Sequence, residues 1–359
     1  MNQDPSLITA DALKQFCRSL LIAAGLSPAE AELVADSLVE ANLRGIDSHG
    51  VARLPHYLRR LAQGSINPRP AMIFTRLGPA VGRVDGNHGL GQLVMTRAAQ
   101  EALALAREAG AGWVSVCNSS HCGALDYYGL QIARAGMIGF VFTHVDPMVL
   151  PHGAKQPFCG TNPICITAPD ANGQTFCLDM ATSIQPWNYV ANAALSGEAI
   201  PLGLAVDAAG RDTTDSKAVH ALYPFGLHKG SGLGLTIDIL CSMLSGAPYG
   251  PDVPKMYGDL SQRRLLGGMV GAIDIARFMP VEQVQTRITE MLTRWGALPP
   301  VEPGGKVQYP GEPTELSKQQ RLSEGIPLPA HLVATFDQLS QTSGLARSLS
   351  DWSSKAEPT

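Results

Sequence analysis

The pattern of apolar residues changes near residue 80, from helical spacing to short runs, and this change constrains the fold more than any other feature. Residues 27–44 open with Ser27-Pro28-Ala29-Glu30, a capping box with proline at the first helical position. Apolar residues follow at helical spacing, and after the break at Gly45 and the segment 47–50 a second helix is predicted to about residue 62. Beyond residue 80, short apolar runs alternate with Gly and Pro. They predict strands over 112–117, 138–143, 163–168, 175–180 and 202–207.

The spacing of these strands favours a mixed sheet. One helix, near 124–135, separates the first two strands, and long turns separate the others, which is not a regular βαβ alternation. Gly89-Leu90-Gly91 lacks the third glycine of the dinucleotide-binding fingerprint, and the glycines of 230–234 have the wrong spacing. We therefore expect an α/β fold of the α+β type with a mixed sheet, and not a regular Rossmann fold.

The length predicts more than one domain. The chain has 359 residues, and domains average about 150 residues. We expect an N-terminal helical domain over 1–78, joined discontinuously by about 250–300, and a mixed-sheet domain over 79–249. A helix is predicted near 281–295. Residues 301–359 are expected to form a loop and a helix that pack back, followed by a frayed tail.

Composition excludes several classes of function. The net charge is −4, only 16% of residues are charged, and no basic run exceeds two residues, which argues against nucleic-acid binding. No apolar stretch approaches the roughly 20 residues of a membrane span, and the N-terminus lacks a signal pattern, so we expect a cytoplasmic protein. The seven cysteines contain no C-x-x-C pair and mostly lie in apolar runs, which predicts reduced core thiols and no metal site.

Two histidines and an arginine are candidates for acid–base chemistry. His49, Arg53 and Tyr57 are spaced four residues apart on the second predicted helix. A histidine exchanges a proton near neutral pH, and an arginine holds a carboxylate through two hydrogen bonds. His121 follows a predicted strand and precedes a helix, where catalytic side chains are often presented. The alternatives are a polar solvent face for His49 and Arg53, and a buried or capping role for His121.

A glycine-rich segment offers a site for an anion. Lys229 precedes the glycines of 230–234, which lead into a nearly all-apolar helix that should be buried on most sides. Glycines expose backbone N–H groups, and a helix N-terminus favours negative charge, so a phosphate-bearing cofactor fits. The alternative is close packing of a glycine-lined helix against its neighbour.

Six segments, taken in order, resemble one known family. They are RGIDSHGVARLPHY (44–57), SSHCGALDYY (119–128), GTNP (160–163), DMATS (179–183), HKGSGLGLTIDIL (228–240) and YPGE (309–312). The chain resembles the malate/L-lactate dehydrogenase family of the second type, which lacks the Rossmann fingerprint of the familiar lactate dehydrogenases. Three further segments resemble its ureidoglycolate-oxidising members: DPMVLPHG (146–153), TTDSKAVHALYP (213–224) and MYGDL (256–260).

The resemblance implies an oxidoreductase that transfers hydride between a nicotinamide and the carbon next to a carboxylate, with ureidoglycolate to oxalurate as the expected reaction. Family members also act on malate, lactate, sulfolactate, 2,3-diketogulonate or cyclic ketimines, and a non-catalytic NADH-binding protein is a further alternative. NAD is favoured through the ureidoglycolate likeness, while NADP stays open. A homodimer or larger homo-oligomer is implied, with no nucleic-acid or membrane partner.

The resemblance also implies roles for individual residues. Either His49 or His121 would exchange the proton, and the resemblance does not choose between these two histidines. Substrate contacts would come from Ser48, Arg53, Tyr57 and Thr161. Cofactor contacts would come from Asp179, Met180, Ala181, Lys229, Gly230, Gly311 and Glu312. Val145 departs from the pattern, because the ureidoglycolate-oxidising members carry a cofactor-binding serine there.

Overall fold

A computed structural model describes residues 6–353 and contains helical and sheet-based parts. The helices are α1 (Ala10–Ala23), α2 (Pro28–Leu43), α3 (Leu54–Ala62), α4 (Gly91–Ala109), α5 (Asp126–Arg134), α6 (Trp187–Ser196), α7 (His228–Asp238), α8 (Val281–Gly296), α9 (Glu312–Glu324), α10 (Ala330–Thr342) and α11 (Ser350–Ser353). The strands are β1 (Ser6–Ile8), β2 (Ile73–Arg76), β3 (Val81–Asp85), β4 (Ala111–Ser119), β5 (Met137–Thr143), β6 (Ile164–Pro169), β7 (Thr175–Met180), β8 (Ala205–Val206), β9 (Ala221–Leu222), β10 (Leu266–Asp274) and β11 (Ile326–Leu328).

Seven strands form one mixed sheet, in the order β2-β3-β4-β10-β5-β6-β7. Only β3 and β4 are parallel, and the other neighbouring pairs in this sheet are antiparallel. Helices α4 and α5 cover one face, and α7 packs on the other through Ile237, which contacts Phe142 and Met269. The predicted α+β fold with a mixed, non-Rossmann sheet is confirmed.

The N-terminal helices have a core of their own. Helices α1, α2 and α3 pack with α10 around buried side chains such as Phe16, Leu38 and Phe336. Strand β1 pairs there with β11. The capping box at Ser27 is present, since its side chain accepts a hydrogen bond from Glu30 N and the Glu30 carboxylate accepts one from Ser27 N.

Several predicted elements match the structure and several differ. The strands predicted at 112–117, 138–143, 163–168 and 175–180 correspond to β4, β5, β6 and β7, and the helix at 281–295 corresponds to α8. Of 202–207, only β8 is extended. Neither α4 nor β10 is predicted from the sequence. Strand β10 lies between β4 and β5 at the centre of the sheet.

Two local predictions need correction. The helix that follows Gly45 does not run continuously, because Gly50 is extended (φ −84°, ψ −150°) and separates two 3-10 turns before α3 begins at Leu54. The apolar helix after Lys229 continues as a π-helical turn over 239–243 and is not buried on most sides. Leu235, Ile239 and Met243 are each about half exposed.

The segment 250–300 divides between the two parts of the molecule. Its strand β10 belongs to the sheet, while the loop before β10 contacts α3 through Arg60, which donates to the backbone oxygens of Met256 and Gln262. The proposed domain division stays a prediction. The predicted frayed tail falls mainly outside the described residues. Among residues 6–353, no helix is long and apolar enough to cross a bilayer. The seven cysteines are free, and six of them are buried.

Candidate active site

One large cavity brings together most of the predicted site residues. It has a volume of about 850 Å³, within the range typical of small-molecule and cofactor sites. The 3-10 turns before α3, the segment after β4, strand β7 and the loop before α9 all contribute to its wall. The predicted residues that line it are Ser48, His49, Arg53, His121, Thr161, Asp179, Met180, Ala181 and Gly311.

Gly50 allows the turn that presents His49 and Arg53. Asn42, near the end of α2, accepts a hydrogen bond from Val51 N at 2.8 Å. A Cβ on residue 50 would lie 2.1 Å from Asn42 Oδ1, so only glycine leaves room for this cap. Asp47 anchors the same turn through an ion pair with Arg321 at 2.6 Å.

Arg53 is held from three directions. Its Nε donates to Ser48 O at 2.6 Å, one Nη donates to Asn188 Oδ1 at 2.6 Å, and the other donates to the Tyr257 hydroxyl. Asn188 also donates to Ser48 O at 3.2 Å. An arginine has five N–H groups, so two are left without a partner among the described residues. Two N–H groups are what a bidentate carboxylate requires.

The two histidines stack beside this arginine. Their ring centroids are 5.6 Å apart, and the planes differ by 17°. His49 Nδ1 lies 2.8 Å from Ser48 Oγ, and His121 Nδ1 lies 2.6 Å from the Tyr57 hydroxyl. Within residues 6–353, neither Nε2 has a hydrogen-bond partner, and both residues line the cavity. The structure therefore leaves both Nε2 atoms available to a bound molecule.

The partners of His121 define its tautomer. Gly123 N donates to His121 Nδ1 at 3.3 Å, and a backbone N–H can only donate. Tyr57 donates to the same nitrogen and accepts from Gln92 Nε2 at 3.1 Å. Nδ1 is thus an acceptor, and the neutral ring carries its proton on Nε2. No comparable constraint acts on His49, because the Ser48 hydroxyl can either donate or accept.

Burial keeps both imidazoles neutral at pH 7. Desolvation, aided by the nearby Arg53 guanidinium, lowers the pKa of His49 to about 4. Desolvation, with His49 and Arg53 adding repulsion, holds the pKa of His121 well below its usual range. A neutral histidine can accept or donate a proton through Nε2, depending on its tautomer.

A buried charge cluster supports the opposite wall. Asp179, at the end of β7, accepts a hydrogen bond from Asp126 N at 2.8 Å and so caps the start of α5. Burial and the neighbouring Asp126 carboxylate raise the pKa of Asp179. Arg44 pairs with Asp126 at 2.7 Å and with Glu315 of α9 at 3.2 Å. This cluster fixes the wall that carries Met180 and Ala181.

The loop before α9 closes the same wall. Cys177 N donates to Pro310 O at 3.0 Å, and Gly311 has a φ of +97°. A Cβ on Gly311 would lie 3.0 Å from the backbone N of Cys177, so glycine permits the close approach. Glu312 Oε1 pairs with Lys306 at 2.5 Å, while Oε2 is buried without a partner in the part of the chain that the structure describes. A buried acceptor beside the cavity fits a hydroxyl-bearing cofactor such as a nicotinamide nucleotide.

Four predicted residues do not line the large cavity. Tyr57 is buried behind His121, and Glu312 lies next to the lining residues Gly311 and Pro313. Lys229 is exposed at the start of α7. Gly230 lines a separate cavity of about 250 Å³, and a Cβ there would meet Phe225 O at 2.2 Å. Gly230 is therefore in close contact with the turn that precedes α7.

Sequence reasoning missed Asn188, Tyr257 and Gln92. Asn188 lies in α6, which the sequence analysis does not predict, and Tyr257 lies in a loop that joins the site only through the tertiary fold. Gln92 is a fully buried polar residue in α4. Tyr257 falls within the family-like segment MYGDL (256–260), whereas no periodicity or motif in the sequence marks Asn188 or Gln92. Val145, the departure from the family pattern, does line the cavity.

Comparisons with known proteins agree with this architecture. The family model described as malate/L-lactate dehydrogenase matches residues 8–337. Ureidoglycolate dehydrogenase (NAD(+)) of Escherichia coli O157:H7 is 35% identical over 319 residues, covering 89% of this chain and 91% of that protein. Malate dehydrogenase of Pyrococcus abyssi is 35% identical over 348 residues, covering 94% of this chain and 95% of that protein.

A solved structure extends the likeness to three dimensions. Sulfolactate dehydrogenase from Methanocaldococcus jannaschii superposes with a TM-score of 0.89 at 32% identity, covering 96% of this chain and 99% of that one. Family model, sequence relatives and structure all span nearly the whole chain, and the mixed sheet is common to the fold. The chain therefore belongs to the malate/L-lactate dehydrogenase family, and it is an oxidoreductase of that family.

Proposed function

We propose that this protein oxidises a small 2-hydroxy acid with a nicotinamide cofactor, and that the substrate is ureidoglycolate, which is converted to oxalurate. The observation that carries the proposal is the placement of Arg53 beside two neutral histidines in one cavity. An arginine with two free N–H groups suits the carboxylate, and the histidines suit the neighbouring hydroxyl. When bound, the nicotinamide supplies the hydride acceptor of the oxidation.

The hydrogen bonds of the two histidines support different roles. His121 carries its proton on Nε2 and donates a hydrogen bond to the substrate oxygen. His49 has a free choice of tautomer, so its Nδ1 can donate to Ser48 while Nε2 takes the hydroxyl proton. In the reverse direction, His49 returns that proton to the oxygen. Arg53 fixes the face of the substrate, and such positioning can lower a barrier by several kcal/mol.

Residues along β7 and the loop before α9 would hold the cofactor. Asp179, Met180, Ala181 and Gly311 share the cavity with the histidines, and Glu312 offers a free carboxylate oxygen beside it. We propose NAD as the cofactor, in line with the ureidoglycolate dehydrogenase (NAD(+)) relative, and NADP is the alternative. Malate is the second candidate substrate, because the Pyrococcus abyssi malate dehydrogenase is equally similar over more of the chain.

The exposed side of α7 and of the π-helical turn that continues it over 239–243 supports a homo-oligomer. Leu235, Ile239 and Met243 are spaced four residues apart and are 47%, 47% and 53% exposed. Residues at this spacing lie on one side of a helix, so the three form a continuous apolar strip. A second copy of the chain covering the strip would account for the low charge content. Size-exclusion chromatography with light scattering tests this, and a monomer at micromolar concentration contradicts it.

The substrate assignment is tested by following nicotinamide absorbance. The purified protein is given NAD⁺ or NADP⁺ with ureidoglycolate, malate, L-lactate or sulfolactate, and the reduced cofactors with the matching 2-oxo acids and a cyclic ketimine. The highest kcat/KM is expected for ureidoglycolate with NAD⁺. Turnover of only another substrate contradicts the ureidoglycolate assignment, and NADH binding without any turnover refutes the proposed activity.

The acid–base assignment is tested with His49→Ala and His121→Ala. Each variant should lose about 10²-fold or more in kcat, since general acid–base catalysis contributes roughly 10²–10⁴-fold. His331→Ala, on the exposed start of α10, is the matched control and should behave like the wild-type protein. Wild-type kcat in both active-site variants across the pH range would show that the assignment is wrong.

A further inference from the structure

Resting on the proposed function, we infer that this site selects 2-hydroxy or 2-oxo acids that carry one negative charge, with an uncharged remainder beyond the reacting carbon. The inference concerns which members of the substrate class are accepted. It follows from the number and pairing of the charged groups around the cavity, and it is independent of which histidine exchanges the proton.

Arg53 is the only lysine or arginine among the described residues that line the cavity. Three carboxylates share the lining, and two of them are already paired. Asp126 lies 2.7 Å from Arg44, and Asp146 lies 2.7 Å from Arg264. The third, Asp179, accepts a backbone N–H and has no cation within ion-pairing distance in the described part of the chain. The lining thus offers a single unpaired positive charge.

The cations behind the wall are committed to protein partners. Arg44 and Arg264 pair with the two aspartates, and Arg60 donates to the backbone oxygens of the loop at 255–262. These three arginines are only 2–3% exposed, so a bound molecule cannot reach their guanidinium groups. Lys229 is exposed and lies outside the cavity lining.

The hydrogen-bonding capacity of Arg53 matches one carboxylate. Three of its five N–H groups bind Ser48, Asn188 and Tyr257, and the remaining two are used by a bidentate carboxylate. Both ends of the Asn188 amide are engaged, with Arg53 and with Ser48 O. A second carboxylate would therefore have to bind elsewhere in the cavity.

Among the described residues, the rest of the wall offers no cation and mixes apolar side chains with a few uncharged polar ones such as Thr161 and Ser183. Residues that line the cavity without offering a charge include Val145, Met148, Ile184, Trp187 and Met256. Burying a carboxylate without a cation or a set of donors carries a large desolvation penalty. An amide or ureido group loses far less on transfer to the same wall. A substrate with one charge therefore binds with its carboxylate on Arg53 and its neutral end toward this surface.

A matched pair of substrates isolates the charge. L-Malate and L-β-malamate (3-carbamoyl-2-hydroxypropanoate) have the same shape, but the distal group of malamate is a neutral amide. With the oligomer as purified and saturating NAD⁺, we expect kcat/KM for malamate to exceed that for malate by about tenfold or more, because only malate has to bury an unpaired charge. Equal values, or a preference for malate, overturn the inference.

A second measurement identifies the carboxylate that Arg53 binds. Arg53→Gln should lower kcat/KM for both members of the pair by the same factor, because each uses Arg53 for the carboxylate next to the carbinol. A fall confined to malate would show that Arg53 binds the distal carboxylate, and this also overturns the inference.

Failure of the charge inference differs from failure of the proposed activity. If no hydroxy acid is turned over, the activity is refuted, and calorimetric affinities of the same pair with NADH present still decide the charge preference. If other hydroxy acids react but the pair does not, inhibition constants of malamate and malate against the active substrate decide it. In both cases tighter binding of malamate supports the inference, and equal or tighter binding of malate overturns it.

Discussion

The buried contact between Tyr57 and Gln92 predicts that the cost of Tyr57→Phe in unfolding free energy depends on the residue at position 92. In Tyr57→Phe, the Gln92 amide loses the hydroxyl that accepts its N–H. Gln92 is fully buried, and its Oε1 already lacks a partner, so the whole amide becomes unsatisfied. An unpaired buried donor costs about 1–3 kcal/mol. His121 Nδ1 keeps only the N–H of Gly123 at 3.3 Å.

Gln92→Leu, in contrast to Tyr57→Phe, should leave no buried donor without a partner. It removes the unpaired Oε1 together with the N–H, and it leaves the hydrogen bond from Tyr57 to His121 intact. We expect its stability to stay within about 1 kcal/mol of wild type, since it leaves no buried N–H unpaired and the Tyr57 hydroxyl keeps its hydrogen bond to His121. In the double variant, Tyr57→Phe then costs only the bond to His121, about 1 kcal/mol. The cycle should give a coupling energy of about 1–3 kcal/mol, the cost of the unpaired Gln92 donor.

Urea unfolding at fixed protein concentration measures the three variants, because the stability of an oligomer depends on concentration. Activity provides a second readout. Tyr57→Phe should lower kcat more than Gln92→Leu does, since only the former removes the hydrogen bond that orients His121. Equal destabilisation by Tyr57→Phe in both backgrounds would refute the assignment of Gln92 as the partner of the hydroxyl.

Further predictions concern the arginine and the histidines. Asn188→Ala and Tyr257→Phe should each raise KM by about tenfold with kcat within about twofold, because each removes one hydrogen bond that holds Arg53 while its other two keep the bound carboxylate oriented; a lower kcat at constant KM would contradict this role. Because the pKa of His49 lies near 4 in the folded chain and near 6.5 in the unfolded chain, acidification from pH 6.5 to 4 should favour unfolding, by on the order of 2 kcal/mol from this residue. Urea midpoints across that range test it, and constant stability there would contradict it. The lowered pKa values of His49 and His121 should keep kcat/KM constant down to about pH 5. A fall in kcat/KM that begins near pH 6.5 would contradict neutral buried imidazoles.

The sheet shows how far the sequence supports structure prediction. Strands such as β5, with apolar residues between Gly and Pro signals, were predictable from local pattern. Strand β10 was not, because its glycines lower strand propensity. They are required by its neighbours: a Cβ on Gly271 would lie 2.4 Å from the Trp113 ring, and one on Gly267 would lie 2.0 Å from Cys241 O. Such requirements are set by tertiary packing.

The residues of the candidate site likewise separate into those that the sequence indicates and those that only the fold brings together. His49, Arg53 and His121 stand out because their side chains have strong acid–base or anion-binding chemistry and occur in family motifs. Tyr257 and Asn188 are ordinary polar residues far from these in sequence, and only folding brings them to Arg53. Lys229 is exposed and lies outside the cavity lining, so its predicted contact with a cofactor stays a prediction.

The central position of β10 has a consequence for how the chain folds. Leu266 at one end of this strand is paired with Ser119, so the middle of the sheet joins segments that are far apart in sequence. Contacts of high sequence separation slow folding, because a long loop has to close before they form. During synthesis, β4 and β5 emerge with unpaired inner edges and remain so until residue 274 has left the ribosome. Nascent chains truncated before β10 should therefore depend on chaperones to avoid aggregation, whereas those ending after it should not.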